Sequence, residues 1–498
     1  MIRAFGVALL LLLGACATVE PERDRAQENA LSPAPLAAWP ALDTLTGVDL
    51  FVPLNNGQTA LDWRLRALQA ATRSIDLQTF IWETDAAGLA LVKETLAAAD
   101  RGVKVRVILD DSFLAHADPA LRRLSEHPMI AYRIYNPVAN RAGSNTLRQL
   151  ENLGDFSRIN HRMHNKLLVI DGRVAIVGGR NQADEYYGYR AAQNFRDLEV
   201  ILQGPFVSRL ASVFDLYWND PWTIPIEHLV EASEELSPQA LQNWLAGGGA
   251  VFKHPDPATI DQWRVLFSSG YKGTVQLIVD TPPDRSPEVD FPVQLAQAYI
   301  QRIDATETDL LLVSAYFIPT EALTAAIERA TARGVKVRVL TNSLGSNNHV
   351  TAHASYARHR PALLRAGAEL YELRADASDR ALYVFEAVED DSILGLHAKI
   401  ALFDDCCLMV GSSNLDPRSL RLNTEIGALV ESPGLNAHVR ELFAVDLLPQ
   451  NAWQVKLGEE GEIVWMGSEG DVHEAPPASF FMRAESWFFG LLPIEGQM

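Results

Sequence analysis

Apolar positions along this chain keep two periods in alternation, and the alternation runs through twice. Leu61, Leu65 and Leu68 recur at helical spacing and predict a helix over residues 57–72. Residues 74–82 read as a buried strand, and 86–100 as a helix carrying Leu89, Val92 and Leu96 on one face. Arg101-Gly102 closes that helix, and 103–109 alternates as a strand does. The second half repeats the order: helix 291–303, strand 310–318, helix 320–333. There Arg333-Gly334-Val335-Lys336-Val337-Arg338-Val339 restates Arg101-Gly102-Val103-Lys104-Val105-Arg106-Val107 letter for letter, 232 residues on. Such an offset marks an internal duplication. Helix and strand in alternation predict a largely parallel sheet covered by helices. The expected division is a first half over 45–246 and a second over 250–498, parted near Ala246, Gly247, Gly248 and Gly249.

The duplication carries chemistry. His164-Asn165-Lys166 is followed by an apolar run, Asp171, and, after six further residues, Gly178-Gly179-Arg180-Asn181. His397-Ala398-Lys399 is followed in the same way by Asp404 and Gly411-Ser412-Ser413-Asn414, with the two histidines 233 residues apart. Residues two apart on a strand share a face, so each histidine projects with its lysine. Asp171-Gly172 is a strong hairpin signal and Asp404-Asp405 a weaker one. The returning strand, 174–177 or 408–410, brings the asparagine back beside the histidine. Each unit thus gathers an imidazole, an ammonium and a carboxamide at one sheet edge, half of a phosphate site with a candidate nucleophile.

Composition narrows the partner. The chain has 498 residues, ordinary hydrophobic and charged fractions of 48% and 21%, and a formal net charge of −20. That length holds two cores or one large duplicated one. The acidity weighs against nucleic acid, whose phosphates need clustered Lys and Arg. At the N-terminus, Arg3 precedes a ten-residue apolar run, 4–13, closed by Gly14-Ala15-Cys16. The run is short for a bilayer span and reads as a secretory signal over 1–16. Small residues before a cysteine are similar to a bacterial lipobox and predict lipidation at Cys16; an ordinary signal peptide is the alternative. Residues 17–44, rich in Ala, Pro and Glu, are expected to be a flexible tether. Cys406 and Cys407 are expected to be core-filling thiols, since neighbours on a strand point to opposite faces and do not pair.

The paired His-x-Lys-x4-Asp motifs with their trailing asparagines resemble the phospholipase D superfamily, over about residues 45–450. Asn414-Leu415-Asp416-Pro417-Arg418-Ser419 with Asn423-Thr424-Glu425 is similar to its bacterial cardiolipin synthases. Asp184-Glu185-Tyr186-Tyr187, Phe195-Arg196-Asp197-Leu198-Glu199-Val200 and Leu491-Leu492-Pro493-Ile494-Glu495 resemble the cardiolipin synthase C branch. The lipobox departs from the superfamily's integral-membrane synthases. The resemblance implies two α/β/α sandwich halves related by pseudo-two-fold symmetry around one shared active site. It implies phosphatidyl transfer without metal or cofactor, making cardiolipin from phosphatidylglycerol and a second phospholipid such as phosphatidylethanolamine, at a membrane surface. Hydrolysis by the same intermediate is the alternative. A nuclease and a non-catalytic lipid-binding lipoprotein stand further off.

In that scheme His164 is the nucleophile and His397 the general acid and base. Lys166, Lys399, Asn181 and Asn414 hold the phosphoryl oxygens. Asp197, 33 residues after His164, and Glu425, 28 after His397, are the expected histidine-orienting carboxylates. Asp171 and Asp404 belong to the motif, although at hairpin turns an aspartate also organises backbone. Arg180 and Arg418 are candidate phosphate contacts. His349 and His353 stand at a spacing that binds metal on a helix, but no carboxylate or cysteine cluster accompanies them, which favours substrate lining. Tyr186, Tyr187 and Tyr189 fit a lipid entrance or plain packing, and the apolar tail from Phe480 fits a bilayer interface or a core-packed helix. A lipid-anchored bacterial protein on the periplasmic side follows, with Ala17 compatible with the outer membrane and substrate supply favouring the inner one. Oligomeric state is open.

Overall fold

At Asp171 and Gly172 the backbone turns with φ of 56° and 63°, the left-handed pair that a tight hairpin needs. The turn joins Leu167–Ile170 to Val174–Gly178. Asp404, φ 45°, starts the equivalent turn between Lys399–Phe403 and Cys407–Gly411. All of these strand residues are buried, as their apolar runs require. The structure, a computed structural model, describes residues 19–42, 47–232, 237–247, 252–282, 294–388, 392–468, 472–473, 478–490 and 492.

Each hairpin sits in a sheet in which seven adjacent strands run in one order. In the first half this is Leu50–Leu54, Glu199–Gln203, Val174–Gly178, Leu167–Ile170, Ser74–Thr79, Lys104–Asp110 and Ile130–Tyr135. In the second it is Thr274–Val279, Ile426–Glu431, Cys407–Gly411, Lys399–Phe403, Asp309–Ser314, Lys336–Asn342 and Glu369–Leu373. The duplication in the sequence is thus a duplication of topology. The parallel expectation needs correcting: in each half only the last three of these strands pair in parallel, and the rest are antiparallel. Three-residue turns, 171–173 and 404–406, can join only antiparallel neighbours, so the motif hairpins impose the mixture.

The helices start and stop where the side chains direct. Ala86–Asp100 begins on Asp85, whose carboxylate accepts from Gly88 N, and ends before Gly102, φ 90°. Its counterpart Glu321–Ala332 begins on the Thr320 hydroxyl and ends before Gly334, φ 89°. Helices Phe206–Trp218 and Pro433–Asp446 share one buried cluster with inward faces of both sheets, Val169 and Val177 from one and Ile400 and Val410 from the other. That shared core fixes the two hairpins against each other.

Four expectations change. Over its described residues, 19–42, the tether lies along the first half: Trp39 is buried and donates through Nε1 to Asp171 at 2.9 Å, and Arg25 donates to the Thr223 and Asp220 carbonyls. Trp39 supplies more apolar area than a free linker would leave in water. The chain passes between sheets at Gly273, later than the glycine stretch: Ile260–Ser268 packs on the first half through Trp263, and Tyr271–Lys272 pairs with Leu50–Phe51. Cys406 and Cys407 form a disulfide. Cys406 closes the turn rather than continuing the strand, so the alternation argument does not hold there. The apolar tail is a helix, Phe480–Gly490, against Val350–Arg365, with Phe480, Phe481, Trp487 and Phe488 left exposed. Cys16, and Leu491 with 493–498, lie outside the described residues. No described helix is long and apolar enough to cross a membrane.

Candidate active site

The halves meet first through backbone. His164 N donates to Thr424 O at 2.9 Å, and Thr424 N to Arg162 O at 2.8 Å. On the other side Gln193–Arg196 runs parallel to Ile393–Leu396, and His397 N donates to Arg196 O at 2.8 Å. The residue following each of these contacts is a carboxylate. Each histidine therefore faces the acid of the opposite half. His164 Nδ1 lies 2.9 and 3.0 Å from the two Glu425 oxygens. His397 Nδ1 lies 2.7 Å from Asp197 Oδ2. With a carboxyl oxygen of the opposite half accepting from Nδ1–H, Nε2 of each ring is the basic nitrogen.

Both histidines are buried and packed by rings. Phe80 meets His164 edge-on at 5.0 Å, and Tyr186 and Phe195 stand 4.9 and 5.3 Å from His397. Lys166 Nζ donates to the His164 carbonyl at 2.6 Å, and Lys399 Nζ donates to the His397 carbonyl. The short reach back along its own strand places each ammonium beside its own imidazole.

Electrostatics separate the two pairs. Burial, with Lys399 and Lys166 nearby, lowers the His397 imidazole to about 3 although Asp197 opposes this. Burial raises the Asp197 carboxyl, yet the hydrogen bond and charge of His397, with Lys399, outweigh it and hold it at about 2. For Glu425 burial wins over Lys166 and Ser412, and the carboxyl rises to about 8. Burial, with Lys166 and Lys399, also pushes His164 well down. One histidine thus faces a firmly ionised carboxylate, and the other a carboxyl largely protonated at neutral pH. Burial lowers the Lys399 ammonium to about 8 and Lys166 well down, despite the acids around them.

A difference between the motif copies accompanies this asymmetry. Ser412 donates its hydroxyl to Glu425. The corresponding residue in the first copy is Gly179, where a Cβ would meet Asp197 Oδ1 at 2.4 Å. A serine there has no room beside the shorter acid. Sequence reading passed over Ser412; the Gly-Ser against Gly-Gly mismatch between otherwise matched motifs was the available signal.

The structure distributes the remaining candidates unequally. Asn414 lines a cavity of about 450 Å³ that reaches His164, and its buried Oδ1 has no partner. Asn181 is tied up instead, donating to the Tyr186 hydroxyl at 2.8 Å and accepting from Ile81 N. Arg418 lines the cavity and is steadied by the Asn160 carbonyl at 3.1 Å. Arg180 is corrected: fully buried, it donates to the carbonyls of Leu54, Asn55, Tyr186 and Asp197, which leaves the guanidinium no reach toward a phosphate. Asp171 and Asp404, candidates for catalysis or for backbone support, take the second part. Asp171 accepts from Trp39 Nε1, the Thr72 amide and hydroxyl, and the Arg73 and Ser74 amides. Asp404 accepts from the Glu307, Thr308 and Asp309 amides and the Thr308 hydroxyl. Both stand at the far ends of the motif strands and organise backbone.

His349 lines the cavity against Tyr316 at 5.4 Å, whereas His353 is buried with its Nε2 2.7 Å from Arg360. His161 Nδ1 lies 2.9 Å from the Leu422 carbonyl and supports the junction. Tyr187 bonds Gln182, and Tyr189 packs on Phe252 and Phe385, so only Tyr186 of the tyrosine cluster touches a motif histidine. Asp416 and Arg162, unassigned from sequence, also line the cavity, and burial raises Asp416 to about 6.

Comparison with known proteins agrees with this geometry. The family described as cardiolipin synthase, PLD-like domain, matches residues 65–218 and 299–447, one segment in each half. Cardiolipin synthase C of Escherichia coli (strain K12) is 34% identical over 462 residues, covering 89% of this chain and 95% of the relative. An uncharacterised protein of Helicobacter pylori (strain J99) is 30% identical and covers 88% of each chain. The crystal structure of the phosphatidylserine synthase of Haemophilus influenzae superposes with a TM-score of 0.56, covering 84% of this chain and 92% of its own, at 13% identity. That last likeness concerns the fold.

Proposed function

The chain belongs to the cardiolipin synthase family with PLD-like domains, and on that footing we propose that it moves a phosphatidyl group between phospholipids, making cardiolipin from phosphatidylglycerol and a second phospholipid such as phosphatidylethanolamine. One observation carries the reading: two imidazoles, each tied through Nδ1 to a carboxylate of the opposite half, share a buried junction with two lysines. The reaction runs in two displacements. Nε2 of His164 bonds to phosphorus as the bond to the leaving alcohol breaks, and His397, which takes up a proton once the anionic lipid phosphate offsets burial and the two lysines, gives that alcohol its proton. A headgroup hydroxyl of the acceptor phosphatidylglycerol then loses its proton to His397 and bonds to phosphorus, and the phosphorus–nitrogen bond breaks; phosphatidylethanolamine, which has no such hydroxyl, takes part only as the phosphatidyl donor. Ionised Asp197 favours the imidazolium that forms at His397. Lys166, Lys399 and the open carboxamide of Asn414 meet the charge on the phosphoryl oxygens. Access of the cavity to His164 supports giving it the nucleophile's part.

The protein acts, in this reading, from the periplasmic side, held to a membrane through Cys16. Incorporation of labelled palmitate that disappears in Cys16→Ala tests the anchor. The activity is tested with purified protein and phosphatidylglycerol vesicles, with and without phosphatidylethanolamine, products being read by mass spectrometry. Cardiolipin formed by the wild type and absent with His164→Ala and His397→Ala is the expected result. Phosphatidic acid and free headgroup alone would make water the acceptor and the protein a hydrolase.

A further inference from the structure

On the short helix Asn145–Glu151, residues Asn145, Arg148 and Gln149 line the cavity that reaches His164. Leu147 and Leu150 fall on the opposite side and are 47% and 49% exposed. A helix on a water-facing surface normally carries polar residues there. Just beyond it, Leu153 and Phe156, with Phe113 from another segment, line the cavity and still expose 54%, 49% and 40% of their surface, so they form its outer rim. Leu147, Leu150, Leu153 and Phe156 fall within one ten-residue segment, which with Phe113 gives an apolar collar at the way in.

Charge is arranged behind that collar. Arg141 and Arg148 are each paired with both Asp111 and Asp118 at 2.7–3.1 Å, a closed set of two positive and two negative groups that clamps the helix and leaves the collar electrically neutral. Farther in, Arg162 and Arg418 line the cavity, with Arg418 close enough to depress His164. Three arginines and two aspartates line this cavity, in a chain whose net charge is −20. The order from outside inward is apolar, then cationic, then the histidine. A phospholipid in a bilayer has the complementary order, acyl chain and then phosphate. The overall negative charge repels an anionic surface, so an anchor at Cys16 only keeps the protein near the bilayer, and apolar contact at the collar has to seat the cavity mouth on it.

We propose that Leu147, Leu150, Leu153, Phe156 and Phe113 form the surface by which this protein sits on a phospholipid bilayer, holding the cavity mouth at the acyl boundary so that a lipid phosphate enters toward His164. This rests on the phosphatidyl-transfer reading of the site. The collar, rather than the exposed aromatics of Phe480–Gly490, governs access of bilayer lipid to the site.

Amide hydrogen exchange on the full chain tests the proposal. With phosphatidylglycerol vesicles, exchange across residues 145–159 slows by about five-fold or more, and soluble glycerophosphoglycerol leaves it unchanged. No slowing there, or slowing confined to 480–490, overturns the proposal. Slowing that grows with protein concentration in the absence of lipid makes a second copy the occupant and overturns it equally. The double variant Leu147→Asp/Leu150→Asp lowers turnover of vesicle lipid by about ten-fold or more, while turnover of short-chain phosphatidylglycerol below its micellar concentration stays within about two-fold. Val265→Asp, on an exposed helix face elsewhere, changes neither rate. Equal turnover of vesicles by the double variant and the wild type sinks the proposal. A wild type that turns over neither lipid form removes the transfer reading instead, and the exchange experiment still reports on docking.

Discussion

His164 Nδ1 hydrogen-bonds to Glu425, 261 residues further along the chain and in the other half of the molecule. The reciprocal bond from His397 to Asp197 spans 200 residues. Neither motif copy therefore holds its own histidine in register, and the two pairs differ in charge. The differences lead to distinct expectations.

Asp197→Asn costs far more than Glu425→Gln. Asp197 is held ionised at about 2, and an amide in its place no longer fixes the tautomer or stabilises an imidazolium, so kcat falls by about 10³-fold or more. Glu425 is raised to about 8 by burial and is mostly protonated at pH 7, so glutamine imitates it and the loss is about ten-fold. Steady-state rates on phosphatidylglycerol vesicles check this, with equal losses as the contrary result.

The rate falls on the alkaline side near pH 8. Burial lowers the Lys399 ammonium to about 8, and a lysine is charged below its pKa, so raising the pH through that value removes the charge that meets the phosphoryl oxygens. In Lys399→Arg the guanidinium keeps its charge, and whatever activity remains extends to higher pH. A kcat/KM profile from pH 6 to 10 measures the limb; an unchanged limb in the variant assigns it to another group.

Asp171→Asn damages stability rather than chemistry. The carboxylate accepts five hydrogen bonds around a hairpin turn, and an amide reverses part of that set, which costs about 2–4 kcal/mol. Thermal unfolding shifts downward while turnover per folded molecule stays near wild type. A large fall in kcat at unchanged stability would restore a catalytic part for Asp171.

Arg418 and Arg180 separate in the same way. Arg418→Ala raises KM for phosphatidylglycerol by about ten-fold, the loss of one charge-assisted contact at the cavity wall. Arg180→Lys, which strips several carbonyls of their donor, lowers the melting temperature and leaves the KM of the folded fraction unchanged.

Arg196→Met breaks a buried pair with Asp446, 2.8 Å away in the other half, and strands that carboxylate, at a cost of about 3–5 kcal/mol. Denaturant unfolding reads the loss, and Arg196→Met/Asp446→Leu recovers a good part of it.

Period and repetition in the sequence were enough to place the helices, the hairpins and the duplication, because local backbone preference and one buried face decide those. They were also enough to single out His164, Lys166, His397 and Lys399, which repeat at one offset, and Asp197 and Glu425, each at the start of the short apolar strand after its copy's asparagine. What stayed out of reach depended on which atoms packing brings together across long loops. The exchange of carboxylates between halves follows from backbone contacts at Thr424 and Arg196 that join one half of the chain to the other. The spending of Arg180 and Asp171 on backbone, against the open carboxamide of Asn414, follows from which neighbours surround each. The same holds for Trp39, which the composition of its segment assigned to a tether and which the core accepts because burying an indole outweighs leaving the segment free. Residue types and spacing determined the chemistry available to this chain; the contact of two sheets through one core decided which acid serves which base, and why the two halves of a repeated site are unlike.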